Sequence, residues 1–140
     1  MNYLIDTCVV SELIKDKPDR RVAKWIDGSD EDSLYLSVLT LGEIQKGIAK
    51  LGAGARKSLL QKWLDSDLRQ RFLRRVLPVS EEVALAWGNI QGKAEAAGAP
   101  IPTIDGLLGA TAIVHHCAIA TRDESGVAAT GADVFNPWNG

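Results

Sequence analysis

Cysteine, histidine and methionine are scarce in this chain, with two, two and one among 140 residues. Cys8 and Cys117 are far apart and fit no zinc-ligand spacing. A secretory leader is missing as well: no basic stretch leads into a long apolar run, because Asp6 interrupts the N-terminal apolar residues. Both cysteines are therefore expected to be reduced, buried thiols in a cytoplasmic protein. Long hydrophobic runs are absent. The longest uncharged apolar region, Gly106 to Thr121, is too short and too polar to span a bilayer, so no membrane role is expected. Lysine runs out early, with none beyond Lys93. That absence speaks against a phosphatase or receiver-type α/β protein, which would need a catalytic lysine after a late strand.

What is present describes one ordinary globular domain spanning 1–140. The chain is 46% hydrophobic and 24% charged, and it is long enough to bury a core without disulfides or metal staples. The net charge of −2 does not mark a nucleic-acid binder, but the charge is unevenly spread. Residues 1–75 carry 14 Lys/Arg against 11 Asp/Glu, and residues 76–140 carry 2 against 7. Seven of the basic residues fall in 56–75: Arg56, Lys57, Lys62, Arg69, Arg71, Arg74 and Arg75. This segment is either a cationic face for a polyanion or a solvated helix face.

The hydrophobic pattern alternates short strands with helices. Tyr3-Leu4-Ile5 reads as a buried strand, and helical sequence starts at Thr7 or Ser11. Pro18 is expected to open a second helix through Val22, Trp25 and Ile26, followed by an acidic loop from Gly28 to Asp32. Leu34 to Val38 is the next strand, and Thr40-Leu41-Gly42-Glu43 opens a helix that ends at Gly52 and Gly54. A long charged helix is expected over 56–74, then a brief extended piece from Val76 to Val79. Ser80 caps a helix in which Val83, Trp87, Ile90 and Ala94 share a face, ended by Gly98 and Pro100. Thr103 is expected to cap a helix to about His116, Ala118–Thr121 to form a strand, and Val134-Phe135 a last short one. This order predicts a three-layer α/β/α sandwich with a mostly parallel sheet, in which ligand sites lie at the carboxyl ends of strands.

Three acids stand out by isolation. Asp6 is the only charged side chain from Met1 to Ser11, Glu43 the only one from Ser33 to Gln45, and Asp105 the only one from Ala96 to Thr121. Leaving a buried carboxylate unpaired costs on the order of several kcal/mol, so such a group protonates, pairs or binds a metal. No Lys or Arg falls within the uncharged stretch that surrounds each of the three. Together with Asp123, just past a strand end, they suit a hard divalent cation such as Mg²⁺ or Mn²⁺. Each acid also has a structural reading. Thr40-x-x-Glu43 matches a capping box, Asp105 sits in a first helical turn, Asp6 can cap the first helix, and Asp123 can be a loop acid. Four such coincidences are less economical than one shared site.

Other signals carry less. Gly52-Ala53-Gly54-Ala55-Arg56-Lys57-Ser58 lacks the glycine of a phosphate loop before Lys57 and lies between helices. His115 and His116, adjacent on a helix end, point to different faces and read as a helix terminus. Trp25, Trp63 and Trp87 read as core, and Gly106 and Gly109 as sites of close packing.

Five pieces, in their order and spacing, carry a family resemblance. They are Tyr3-Leu4-Ile5-Asp6-Thr7, Leu39-Thr40-Leu41-Gly42-Glu43, Pro102-Thr103-Ile104-Asp105-Gly106-Leu107-Leu108-Gly109-Ala110-Thr111-Ala112, Thr121-Arg122-Asp123 and Phe135-Asn136-Pro137-Trp138. Over nearly its whole length the chain resembles PIN-domain ribonucleases, and in particular the VapC-type toxins of VapBC toxin–antitoxin modules, including the FitB-like branch. The resemblance implies a single PIN domain over 1–140 and Mg²⁺-dependent endoribonuclease activity, with Mn²⁺ as a substitute. Asp6 and Asp105 would be the main metal ligands, Glu43 a third acid and Asp123 a fourth, with Thr7, Thr121 and Arg122 in support. An RNA substrate, a cognate antitoxin protein, a homodimer and contact with DNA only through the antitoxin are implied too. A non-catalytic PIN-fold protein that binds RNA or antitoxin is the alternative. The chain departs from many relatives in one place. Asp123 stands where they have Asn, and Gly126-Val127 where they have Asp-Phe.

Overall fold

The computed structural model describes residues 1–139. Its strands are β1 (Asn2–Ile5), β2 (Leu34–Ser37), β3 (Val76–Leu77), β4 (Cys117–Ala120) and β5 (Val134–Phe135). All neighbouring pairs run parallel, in the order β3-β2-β1-β4-β5. The sheet expected to be mostly parallel is wholly so among the described residues. The helices are α1 (Thr7–Val10), α2 (Arg20–Gly28), α3 (Val38–Ala49), α4 (Ala55–Lys62), α5 (Arg69–Arg71), α6 (Glu81–Ala96), α7 (Thr103–Val114) and α8 (Glu124–Ala128).

Side-chain alternation along the strands builds two cores, one on each face of the sheet. Ile5, Leu34, Leu36 and Ala120 point to one face and meet Val9, Val10, Val22, Ile26, Ile48, Leu64, Leu68 and Phe72. Leu4, Cys117 and Ile119 point to the other and meet Leu108, Ala112 and Val127. The result is the expected α/β/α sandwich. α6 lies against α7, and the two expected packing glycines serve close approach. A Cβ on Gly106 would sit 3.0 Å from the Trp87 ring, and one on Gly109 would sit 2.2 Å from the Thr130 hydroxyl.

Several helix starts differ from the sequence pattern, and capping chemistry explains each. α2 begins at Arg20 because the Asp19 carboxylate accepts from the amides of Arg21 and Val22. The acidic loop contains a tight 3₁₀ turn, Glu31–Ser33. α3 begins at Val38 because the Ser37 hydroxyl accepts from the Leu39 amide. Thr40 is thus inside the helix and the Thr40–Glu43 capping box does not form. α7 starts at Thr103 behind Pro102, whose φ of −52° sets the entry, and Thr103 is not the cap. Ser80 does cap α6, accepting from the Val83 amide.

The long charged helix is interrupted. After α4 the backbone widens into a π-helical stretch, Trp63–Leu68, continues as α5 and ends at Arg74 in a left-handed conformation. Leu64, Leu68 and Phe72 recur at four-residue steps, which drift around an α-helix of period 3.6. The wider turn offsets that drift and keeps all three in the core. Much of the segment's positive charge is used internally. Arg71 and Arg75 both pair with Glu31, Arg75 also donates to the carbonyls of Glu31 and Leu34, and Lys57 donates to the Leu51 carbonyl.

Neither cysteine forms a disulfide, but only Cys117 is buried, and Cys8 is half-buried. One acid outside the four is deeply buried: Glu12, 4% exposed, which pairs with Lys15 and accepts from the Asp19 amide at 2.8 Å. Burial pushes its carboxyl up, but the Lys15 hydrogen bond, the Asp19 amide and the charges of Lys15 and Arg122 outweigh this and hold it below the usual glutamate value. A depressed carboxyl stabilises the fold above its unfolded-state value and loses that contribution as pH falls through the folded one. Glu12→Gln should therefore melt lower than the unaltered chain at pH 7. The gap should narrow below about pH 4.5, as followed by thermal melts across pH 3–7.

Candidate metal centre

The strand order runs outward from β1 in one direction through β2 and β3, and in the other through β4 and β5. The crevice beyond the carboxyl ends of β1 and β4 is the place where such a sheet offers a ligand site. Asp6 follows β1 directly, and Thr121-Arg122-Asp123 follows β4.

Asp6 is fixed from three sides. Its amide donates to the Ala120 carbonyl at 3.0 Å, which continues the β1–β4 ladder by one residue. Its Oδ1 accepts from the Thr7 amide at 2.8 Å, capping α1, and its Oδ2 accepts from the Thr121 hydroxyl at 2.8 Å. The capping and site readings of Asp6 are thus compatible, since each carboxylate oxygen has further lone pairs. Thr121 is fully buried, and its Oγ1 accepts from the Asp123 amide at 3.1 Å. One hydroxyl therefore orients Asp6 and holds the backbone of Asp123.

Glu43, in the second turn of α3 instead of the first, joins through Thr7. The Thr7 hydroxyl donates to Glu43 Oε1 at 3.0 Å while the Thr7 amide holds Asp6. Asp105 enters from α7. Its carboxyl lies above the usual aspartate value, first because burial disfavours its charge, then because Asp6 and Asp123 are near enough to repel it. Asp123 is exposed and stands at the start of α8 without making a side-chain capping bond, so its carboxylate is not consumed by the helix. Its neighbour Glu124 is engaged, accepting from the Asn136 amide group at 3.1 Å.

The structure thus brings Asp6, Asp105 and Asp123 within each other's field and ties Glu43 to Asp6 through one threonine. Among the described residues, no three acidic, histidine or cysteine side chains lie close enough together to hold a metal ion as they stand. The donors are carboxylate and hydroxyl oxygens, the chemistry that hard divalent cations prefer, and three of the acids are partly desolvated.

Sequence reasoning missed four supporting contacts. Cys8 Sγ lies 3.5 Å from Thr121 Oγ1 and accepts from the Arg122 amide at 3.5 Å. The Arg122 guanidinium stacks 4.6 Å from the ring centre of Trp138. Gly126, noticed only as a departure from a pattern, backs directly onto Asp105. These contacts span 16 to 114 positions, and no local periodicity encodes them. His115 and His116 take no part, and terminate α7 as expected.

The PIN domain family model matches residues 3–130. The chain belongs to the PIN-domain family. Within that family it is 38% identical over 135 residues to a VapC ribonuclease of Sinorhizobium fredii, covering 96% of each chain. It is 37% identical over 136 residues to the toxin FitB of Neisseria gonorrhoeae, covering 97% of this chain and 98% of FitB. The solved FitAcB structure from the same organism superposes with a TM-score of 0.90 at 37% identity, over 97% of this chain and 98% of that one. VapBC-1 from nontypeable Haemophilus influenzae, at 20% identity and a TM-score of 0.81, shares the PIN fold.

The Thr121 bridge makes a direct prediction. Thr121→Val keeps the shape but removes the donor to Asp6 and leaves the Asp123 amide unpaired, at a cost of about 1–3 kcal/mol. Urea denaturation should show that loss, with little change in the slope of the transition.

Proposed function

We propose that this chain is a Mg²⁺-dependent endoribonuclease and the toxin of a type II toxin–antitoxin pair. The observation that carries the reading is the Thr121 hydroxyl joining Asp6 and the Asp123 backbone at the carboxyl ends of β1 and β4, with Glu43 tied to the same end through Thr7, in a PIN domain 38% identical to a VapC ribonuclease. Asp6 and Asp105 would hold the ion, with Mn²⁺ as an alternative, while Glu43 and Asp123 complete the acidic set. A divalent cation held there would activate water and offset the charge of an RNA phosphate, which the bare carboxylates would repel.

The chain's own groups then have distinct tasks. The Thr121 and Thr7 hydrogen bonds fix the Asp6 carboxylate in one orientation, so its free lone pairs face the crevice without reorganisation. Glu43, oriented by the Thr7 hydroxyl, or the exposed Asp123 accepts the proton of the attacking water. Hydrolysis leaves a 5′-phosphate and a 3′-hydroxyl. Arg56, Lys62, Arg69 and Arg74, exposed on the 56–75 segment, guide the RNA backbone.

The partner reading rests on relatives of known assembly. The relative FitB is a toxin, and a solved FitAB structure at 36% identity is bound to a DNA fragment. By analogy, this chain pairs with a cognate antitoxin, meets DNA only through it and works as a homodimer in the cytoplasm. No helix among the described residues is long and apolar enough to cross a membrane.

Asp105→Asn tests the site in two opposite directions. A carboxyl raised by the fold stabilises it only while protonated, and that contribution is lost as pH rises through the folded value. Without metal at pH 7, Asp105→Asn should therefore melt higher than the unaltered chain, and the difference should vanish well below pH 3.8. With Mn²⁺ at 100 times its Kd the unaltered chain should gain about 2.7 kcal/mol, and the variant little. RNA cleavage in Mg²⁺ should fall roughly 100-fold or more, about 2.7 kcal/mol of transition-state stabilisation. A folded variant with full cleavage would refute the assignment.

A further inference from the structure

Gly126 lies within α8, where glycine is a poor helix former, and its backbone conformation needs no glycine. Its lack of a side chain has another use. A Cβ built at this position would lie 2.2 Å from Asp105 Oδ2, 2.9 Å from Cγ and 3.3 Å from Cβ. The whole Asp105 carboxyl group, and not only its tip, therefore rests on the bare backbone of α8. Any L side chain at 126 would turn Asp105 away about its χ angles, since no real Cβ approaches an oxygen that closely. α8 is itself tied to the crevice: Asp123, at its start, is held by the Thr121 hydroxyl that also orients Asp6.

We infer that Gly126 is a positioning residue, whose missing side chain forms the notch that sets the Asp105 carboxylate towards Asp6 and Asp123. The notch and the placement of the acids are two sides of one arrangement. Asp123, three residues earlier on the same segment, makes no side-chain capping bond. The inference rests on the metal-centre reading above and adds a residue that never touches the ion.

The test compares the unaltered chain with Gly126→Ala and with Ser125→Ala, an exposed neighbour in α8. Mn²⁺ binding is followed by the loss of free-ion paramagnetic resonance signal, and folding by circular dichroism and thermal melting without metal. Gly126→Ala should stay folded at the temperature of the titration, yet bind Mn²⁺ at least about tenfold more weakly, with Ser125→Ala unchanged. A tenfold change corresponds to about 1.4 kcal/mol of binding free energy. A purely structural role would shift melting and leave the affinity of the folded protein unaltered. Unchanged Mn²⁺ affinity in folded Gly126→Ala overturns the inference while leaving the metal centre standing. No Mn²⁺ binding by the unaltered chain overturns both.

Discussion

Four consecutive residues of β1 pair with four of β4, and the Asp6 amide extends the ladder to Ala120. Because the strands run parallel, whatever follows Ile5 and Ala120 arrives at one edge of the molecule. The pairing is buried on both faces, with Leu4 and Ile119 on one side and Ile5 and Ala120 on the other. A slip of one residue would exchange the two cores, so burial fixes the register tightly. The position of Asp6 opposite Thr121 is a consequence of that register.

Gathering carboxylates is unfavourable, and the molecule spreads the burden over groups that would be present in any case. The hydroxyl of Thr121 and the amide of Thr7 donate to the Asp6 carboxylate, and the hydroxyl of Thr7 donates to that of Glu43. Asp105 receives no comparable bond among the described residues, and the fold leaves its charge least compensated. Such a local conflict between stability and composition is the common signature of a site shaped for binding.

Much of this was legible in sequence, and for definable reasons. Short apolar runs between turn residues located the strands, and the 3.6-residue period located the main helices. Asp6, Glu43 and Asp105 were visible because each is a lone charge in apolar sequence. The helix starts were less visible. Ser37 and Asp19 outcompeted Thr40 and Pro18 through side-chain bonds whose geometry depends on the preceding strand or turn. The π-helical turn was hidden because a four-residue apolar step fits either helix type roughly. The contact of Gly126 with Asp105 joins α7 to α8, and nothing in either segment alone announces it.

The sheet ends, at both margins, in strands of only two residues, β3 and β5. Pro78 follows β3 directly and has no amide hydrogen to offer. So little unpaired backbone gives another chain almost no template for strand addition, the usual route by which open sheets stick to one another. Recognition is left to side chains, at the carboxyl ends of the strands and on the helical layers, where identity is written in chemistry that the backbone does not share.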